Sequence, residues 1–241
     1  MSRRYLEDLY LLTGLPVPFE NVGELHQHKL IDIARMGESD FNRFLSVTVF
    51  EVEDLDLKIP EGMDVSTFDV VVSNCLENVQ FKAEVENAFT FFFSERVRFS
   101  NEHHIFRVGD ENDIRVINKE NYELLKEMLK EIYYLSKQEK EEGKPVSEAA
   151  KRILEKQKES KKQIDKLKGR GKKGCQLSDL VSSLCANSNI SIKEVWNLTL
   201  YQFMDQFYRL QLVEEYDIAI RSVLAGADPK EVNPEHYVKR M

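Results

Sequence analysis

The sequence is poor in the residues that staple small folds together. Its three cysteines, Cys75, Cys175 and Cys185, are widely spaced and form no CxxC pair. An odd, scattered set excludes a disulfide framework and suits a reducing compartment. No run approaches the roughly 20 apolar residues that a membrane span needs. At the start, Arg3 and Arg4 precede apolar residues as in a signal peptide. Glu7 and Asp8 interrupt that run, and no small-residue cleavage site follows. The expectation is a mature chain in the cytoplasm. Phosphate-loop, dinucleotide, zinc-protease and nucleophile-elbow motifs are all missing. The GRGKKG run at 169–174 follows no apolar strand and precedes no Ser or Thr, so it is not a phosphate loop. The five histidines are His26, His28, His103, His104 and His236. His26 and His28 could chelate a metal from a strand, but no Cys or carboxylate set nearby completes a site. No catalytic residue, metal or cofactor is expected, and the chain does not read as an enzyme.

Charge is plentiful and unevenly placed. The net charge is −8. Residues 1–136 carry 26 acids and 14 bases, residues 137–174 carry 7 and 14, and residues 175–241 carry 9 and 6. The reading is an acidic N-terminal α+β domain (1–136), a basic charged linker or helix (137–174) and a C-terminal helical domain (175–241). The fold class expected is α+β, mainly α, with one small antiparallel meander.

Along the first segment, Tyr5, Leu6, Leu9, Tyr10 and Leu12 recur at helical spacing until Gly14, Pro16 and Pro18 force an extended or turning path. Residues 23–36 read as a short element leading into a helix. Ser39 is the expected N-cap of the next helix, with Phe41, Phe44 and Leu45 on one face. At its end SVTVFEV sets helix against strand, and helix is preferred. Asp64 is the expected cap of a run through Phe68, Val71, Val72 and Cys75. A further helix spans about 80–93 and ends in Phe91-Phe92-Phe93, read as a helix end buried on two sides. From Arg96 to Ile117 the period becomes two, with VRF, HIFRV and DIRVI as strands of a meander turned near Gly109. Asn118 then caps a helix over about 120–136.

Residues 147–167 have good helix propensity but only a thin apolar stripe. Clustered Lys and Arg here are the footprint of phosphate binding. The acids are interleaved and no aromatic residue lies in the segment, so a solvated face or an acidic protein surface fits better. Leu177–Gln206 could be a helix-turn-helix, but its second helix offers Lys193 alone as a base.

The richest stretch is Ser191–Pro229, which holds the only tryptophan. Ser178 is the expected cap of a short helix before it. Ser191 with Glu194 and Thr199 with Gln202 form two capping boxes eight residues apart. They predict a short helix, a kink, and a long helix from about Leu200 to Leu224, closed by Gly226 and Asp228-Pro229. Phe203, Phe207 and Leu210 mark one face, with Met204, Tyr208 and Leu212 beside it. The pattern alone leaves open whether this face is core or groove.

This stretch resembles the C-terminal region of a group of phage and prophage proteins encoded with tail genes. The matching residues are Trp196, Leu198, Thr199, Tyr201 to Phe203, Phe207, Tyr208, Glu215, Tyr216, Asp217 and Ala225 to Ala227. His236-Tyr237 stands where the group often has His-Trp. Lys29 to Ile33, Gly37, Glu38, Phe41 and Phe91 to Phe99 extend the likeness into the N-terminal half. The resemblance implies a tail assembly chaperone, which binds the tape measure protein and keeps it soluble during assembly. It implies Trp196, Tyr201, Phe203, Met204, Phe207, Tyr208 and Tyr216 as partner-binding residues. Homo-oligomers fit this reading, and the place of action is the host cytoplasm or the virion tail. The second reading is a permanent structural component of the tail or baseplate. The third is a nucleic-acid-binding regulator acting through residues 151–173, although nucleic acid is not the expected partner.

Overall fold

A computed structural model describes residues 6–52, 65–110, 115–135 and 176–226. The expected linker therefore lies outside the described residues, as do Asp64, Cys175, His236 and Tyr237. The described chain is mainly helical with a small meander. Its elements are α1 (Asp8–Thr13), β1 (Val17–Phe19), β2 (Gly23–Leu25), α2 (Leu30–Met36), α3 (Glu38–Thr48), α4 (Thr67–Glu77) and α5 (Val79–Phe93). There follow β3 (Val97–Ser100), β4 (Ile105–Val108), β5 (Val116–Ile117), α6 (Lys119–Ile132), α7 (Leu177–Asn187), a 3-10 turn (Val195–Asn197) and α8 (Leu200–Leu224).

Several boundaries follow from caps three residues apart. Asn118 accepts from the Glu120 and Asn121 amides and starts α6, as expected. Ser66, not Asp64, caps α4, exchanging hydrogen bonds with Asp69. The cap expected at Ser39 is instead Gly37, whose φ of +100° lets the chain leave α2 and begin α3 at once. Likewise α7 starts from Gln176 rather than Ser178. There the Asp179 carboxylate accepts the Gln176 amide, and Glu38 accepts the Leu177 amide from across the fold. SVTVFEV divides, with Thr48 as the last helical residue and Val49 as its cap.

The meander has the expected order β3-β4-β5, with Val97 opposite Val108 and Phe106 opposite Ile117. Val97, Phe99, Phe106, Val108 and Ile117 face the core, and Arg98 and Arg107 face solvent. Strand alternation requires this division. A second, two-stranded sheet joins β1 to β2. Pro18 fits there because it lies on an exposed edge position. The outward amides of β3 are met by α5: Thr90 Oγ1 accepts from Val97 at 3.0 Å and Glu86 Oε1 from Phe99 at 2.9 Å. The other Glu86 oxygen takes Arg98 at 2.7 Å.

One core cluster joins both ends of the chain. It contains Leu25, Leu30, Ile33, Phe89, Phe92, Phe93, Phe106, Tyr122 and Tyr133 together with Val181, Leu184, Val195, Tyr201 and Phe203. Phe92 and Phe93 are fully buried, and Phe91 is half-buried against His28, Phe41 and Phe44. Two lysines of α6 are also buried, Lys126 at 3% and Lys130 at 7% exposure. Both reach Glu51, Lys126 at 2.7 Å, and each pairs with an acid one turn back, Glu123 at 2.6 Å and Glu127 at 3.0 Å. Lys126 also meets Thr67 Oγ1 at 3.1 Å. Burial alone would raise the Glu51 carboxyl, but hydrogen bonds and charge from the two lysines outweigh it and hold the pKa low.

Two predictions follow from these polar contacts. Replacing Glu86 by Ala strands the Phe99 amide and is expected to cost about 1–3 kcal/mol in urea unfolding, whereas Glu86→Gln keeps an acceptor and costs less. Glu51 is held below its ordinary value, so its contribution is present above that value and is lost as pH falls through the folded-state pKa. Unfolding midpoints measured from pH 7 to pH 3 should therefore fall less steeply for Glu51→Gln than for the wild type. A steeper fall in the variant would contradict this assignment.

Candidate protein-binding face

The two capping boxes form as expected. Ser191 and Glu194 exchange hydrogen bonds, but the helix that follows is only the 3-10 turn. Thr199 and Gln202 exchange theirs, and α8 runs unbroken for 25 residues. Before it, the backbone makes a narrow antiparallel bridge between Lys29 and Thr199. The Leu30 amide donates to Leu198 O at 2.9 Å and the Leu200 amide to His28 O at 3.3 Å. Gln202 Nε2 adds a bond to Leu12 O at 2.8 Å. This bridge seats the start of α8 on the N-terminal core.

The seven residues expected at a partner surface fall into three groups. Tyr201, Phe203 and Met204 are core, exposed by 1%, 0% and 7%. The Tyr201 hydroxyl donates to Asp8 Oδ1 at 2.6 Å, and burial followed by that carboxylate raises its pKa. These three are thus closed off from any partner while α8 stays docked. Trp196, Phe207 and Tyr208 are half-buried and pack against the core. Phe207 stacks on Phe203 at 6.3 Å, and Tyr208 lies parallel to Tyr134 at 5.3 Å. Tyr216 is half-buried and outside the core cluster.

The apolar spacing read from the sequence continues through the second half of α8. Leu210 is the last residue of the helix that joins the core. Beyond it, Leu212, Val213, Tyr216, Ala219, Ile220, Val223 and Leu224 fall within about 140° of the helix circumference at 100° per residue. Val213 and Leu224 are exposed, and the others are half-buried. Glu214, Glu215, Asp217 and Arg221 occupy the rest of the circumference, along with the lone exposed Ile218. Leu212, Tyr216, Ile220 and Val223 are legible at this spacing in the sequence, and Val213, Ala219 and Leu224 widen the stripe.

Other chemistry is engaged structurally. The His28 ring stacks on Phe91 at 3.7 Å, with Nε2 2.7 Å from Phe91 O, and burial lowers its pKa. Burial, then Glu86, pushes the Cys75 thiol up to about 12. A depression of about 240 Å³ is lined by Glu95, Arg96, Gly109, Asp110 and Arg115. Within it Arg115 and Glu95 form a bidentate pair at 3.0 and 2.6 Å. Among the described residues no group of three His, Cys, Asp or Glu could hold a metal ion, and no helix is long and apolar enough to cross a membrane.

The two halves of α8 should respond differently to truncation. Phe203→Ala is expected to cost about 3–5 kcal/mol. Leu224→Ser should change stability by no more than about 0.5 kcal/mol. Urea unfolding followed by the single tryptophan separates the two cases, and equal losses would place both residues in the core.

Residues 166–241 match a family model described as the YomV second domain. No curated protein and no solved structure shows a match. The matched stretch contains α7, the 3-10 turn and α8, the elements that carry the face. YomV is a phage- and prophage-encoded family, so the C-terminal region of this chain is similar to a domain of a phage-encoded family.

Proposed function

We propose that this phage-related protein is a non-enzymatic tail morphogenesis factor, an assembly chaperone that binds the tape measure protein and keeps it soluble during tail assembly. The observation that carries the reading is the apolar stripe of α8 from Leu212 to Leu224. It lies outside the core cluster on a helix whose other end is firmly anchored. Such a stripe suits the apolar face of a partner helix, read at intervals of three and four residues. Tyr208 continues it toward the body as a half-buried aromatic anchor. Glu214, Glu215 and Asp217 along its flank keep the complex in solution. In this reading Tyr201, Phe203 and Met204 anchor the start of α8 in the core instead of touching the partner.

The test is co-expression with the tape measure protein encoded nearby. The wild-type chain is expected to hold that protein in the soluble fraction and to co-purify with it. The triple variant Val213→Ser, Ile220→Ser, Leu224→Ser should fold and lose both effects. Tape measure solubility that is independent of this chain would overturn the proposal. Recovery of the chain from purified particles would instead favour a permanent tail or baseplate component.

A further inference from the structure

Four non-glycine residues have positive φ: Asn21, Ser94, His104 and Tyr134. Asn21 and His104 are types that tolerate this conformation, and all of the first three are exposed. Tyr134 is bulky, has φ +64° and is 2% exposed. It stands two residues past the end of α6, where a glycine would ordinarily close the helix. Its amide donates to Glu131 O at 3.2 Å, and the Tyr133 amide donates to Leu129 O at 3.0 Å. For a residue with a Cβ, this left-handed conformation is disfavoured by roughly 5- to 30-fold in population. Something must therefore hold it. The Tyr134 ring is clasped by two residues about two helical turns apart, Tyr201 edge-on at 5.3 Å and Tyr208 face-on at 5.3 Å and 17°. Both belong to α8.

We propose that Tyr134 is a conformational latch that ties the end of α6 to the docked state of α8. While Tyr201 and Tyr208 hold the ring, the backbone at residue 134 stays left-handed and α6 stops. When a partner draws Tyr208 out of the stack, residue 134 relaxes to the right-handed region and α6 lengthens. The trigger rests on the proposed role of the α8 face, whereas the latch itself rests on the backbone and ring geometry. Strain held at one residue by surrounding contacts is a recurrent feature of switching sites. The two arrangements differ in which contacts they satisfy, so any ligand that prefers one shifts the other.

The experiment needs no partner. A positive φ gives a strong intraresidue HN–Hα nuclear Overhauser effect, which reports directly on residue 134. The wild type and Tyr134→Phe are expected to show it. Tyr208→Ala, a change at a half-buried site, should weaken it and speed amide exchange at residues 133 and 134 by about fivefold or more. Tyr134→Ala and Tyr134→Gly lose the same ring contacts, yet only the alanine variant should turn right-handed, because glycine carries no left-handed penalty. A left-handed residue 134 in both Tyr208→Ala and Tyr134→Ala would overturn the latch. Should Tyr134→Ala fail to fold, Tyr208→Ala decides alone. Because no arm involves the tape measure protein, a failed latch leaves the proposed function standing, and a failed co-expression leaves the latch standing.

Discussion

The bridge between Lys29 and Thr199 is the contact on which the rest of the arrangement depends. Two backbone hydrogen bonds join strips of chain about 170 residues apart in sequence. Thr199 serves twice, as a bridge residue and as the N-cap of α8. Gln202 also serves twice. Its Oε1 accepts the Thr199 amide, and its Nε2 donates to Leu12 O. The fit is close enough to require glycine opposite. Gly14 has φ +72°, and a Cβ there would stand 3.1 Å from Gln202 Nε2 and 3.2 Å from Thr199 Cγ2. Once this contact is made, Tyr201 and Phe203 have no path except into the core.

The interior uses charged side chains in place of missing backbone partners. Glu86 completes a strand edge, and Glu38 completes the start of α7. Glu51 draws two lysines of α6 toward the end of α3. Removing one member of such a set leaves a buried polar group exposed to an apolar environment, so these contacts fix geometry more than they add stability. Glu51 in this way ties α6, whose end carries the unusual conformation at Tyr134, to the end of α3. A single long helix can then join the core along its first half and lie outside it along its second.

Much of the local structure was legible because its causes are local. Asn118 and the Thr199–Gln202 pair cap their helices as read, and the Ser191–Glu194 pair forms ahead of a 3-10 turn, since each needs only residues three apart. The meander was legible from its period of two. Ser39 and Ser178 misled because a serine near a helix start is equally at home in the first turn. The caps there were chosen by Gly37 and by Glu38, one a backbone conformation and the other a residue 139 positions away from Leu177. The β1–β2 pairing was hidden by its prolines, which are tolerated only because Pro18 stands on an edge.

The sequence by itself determined the mainly helical class with its meander, the caps at Asn118 and Thr199, and the length and apolar stripe of α8. Only the tertiary structure decided which residues of that helix join the core and which lie outside it. Tyr201 and Tyr216 are both aromatic residues of the same helix. Tyr201 is buried because Asp8, 193 positions earlier, and Tyr134 close over it. Tyr216 lies beyond the last residue that the core reaches. Burial is settled by what the rest of the chain places opposite a side chain, and no periodicity within α8 carries that information.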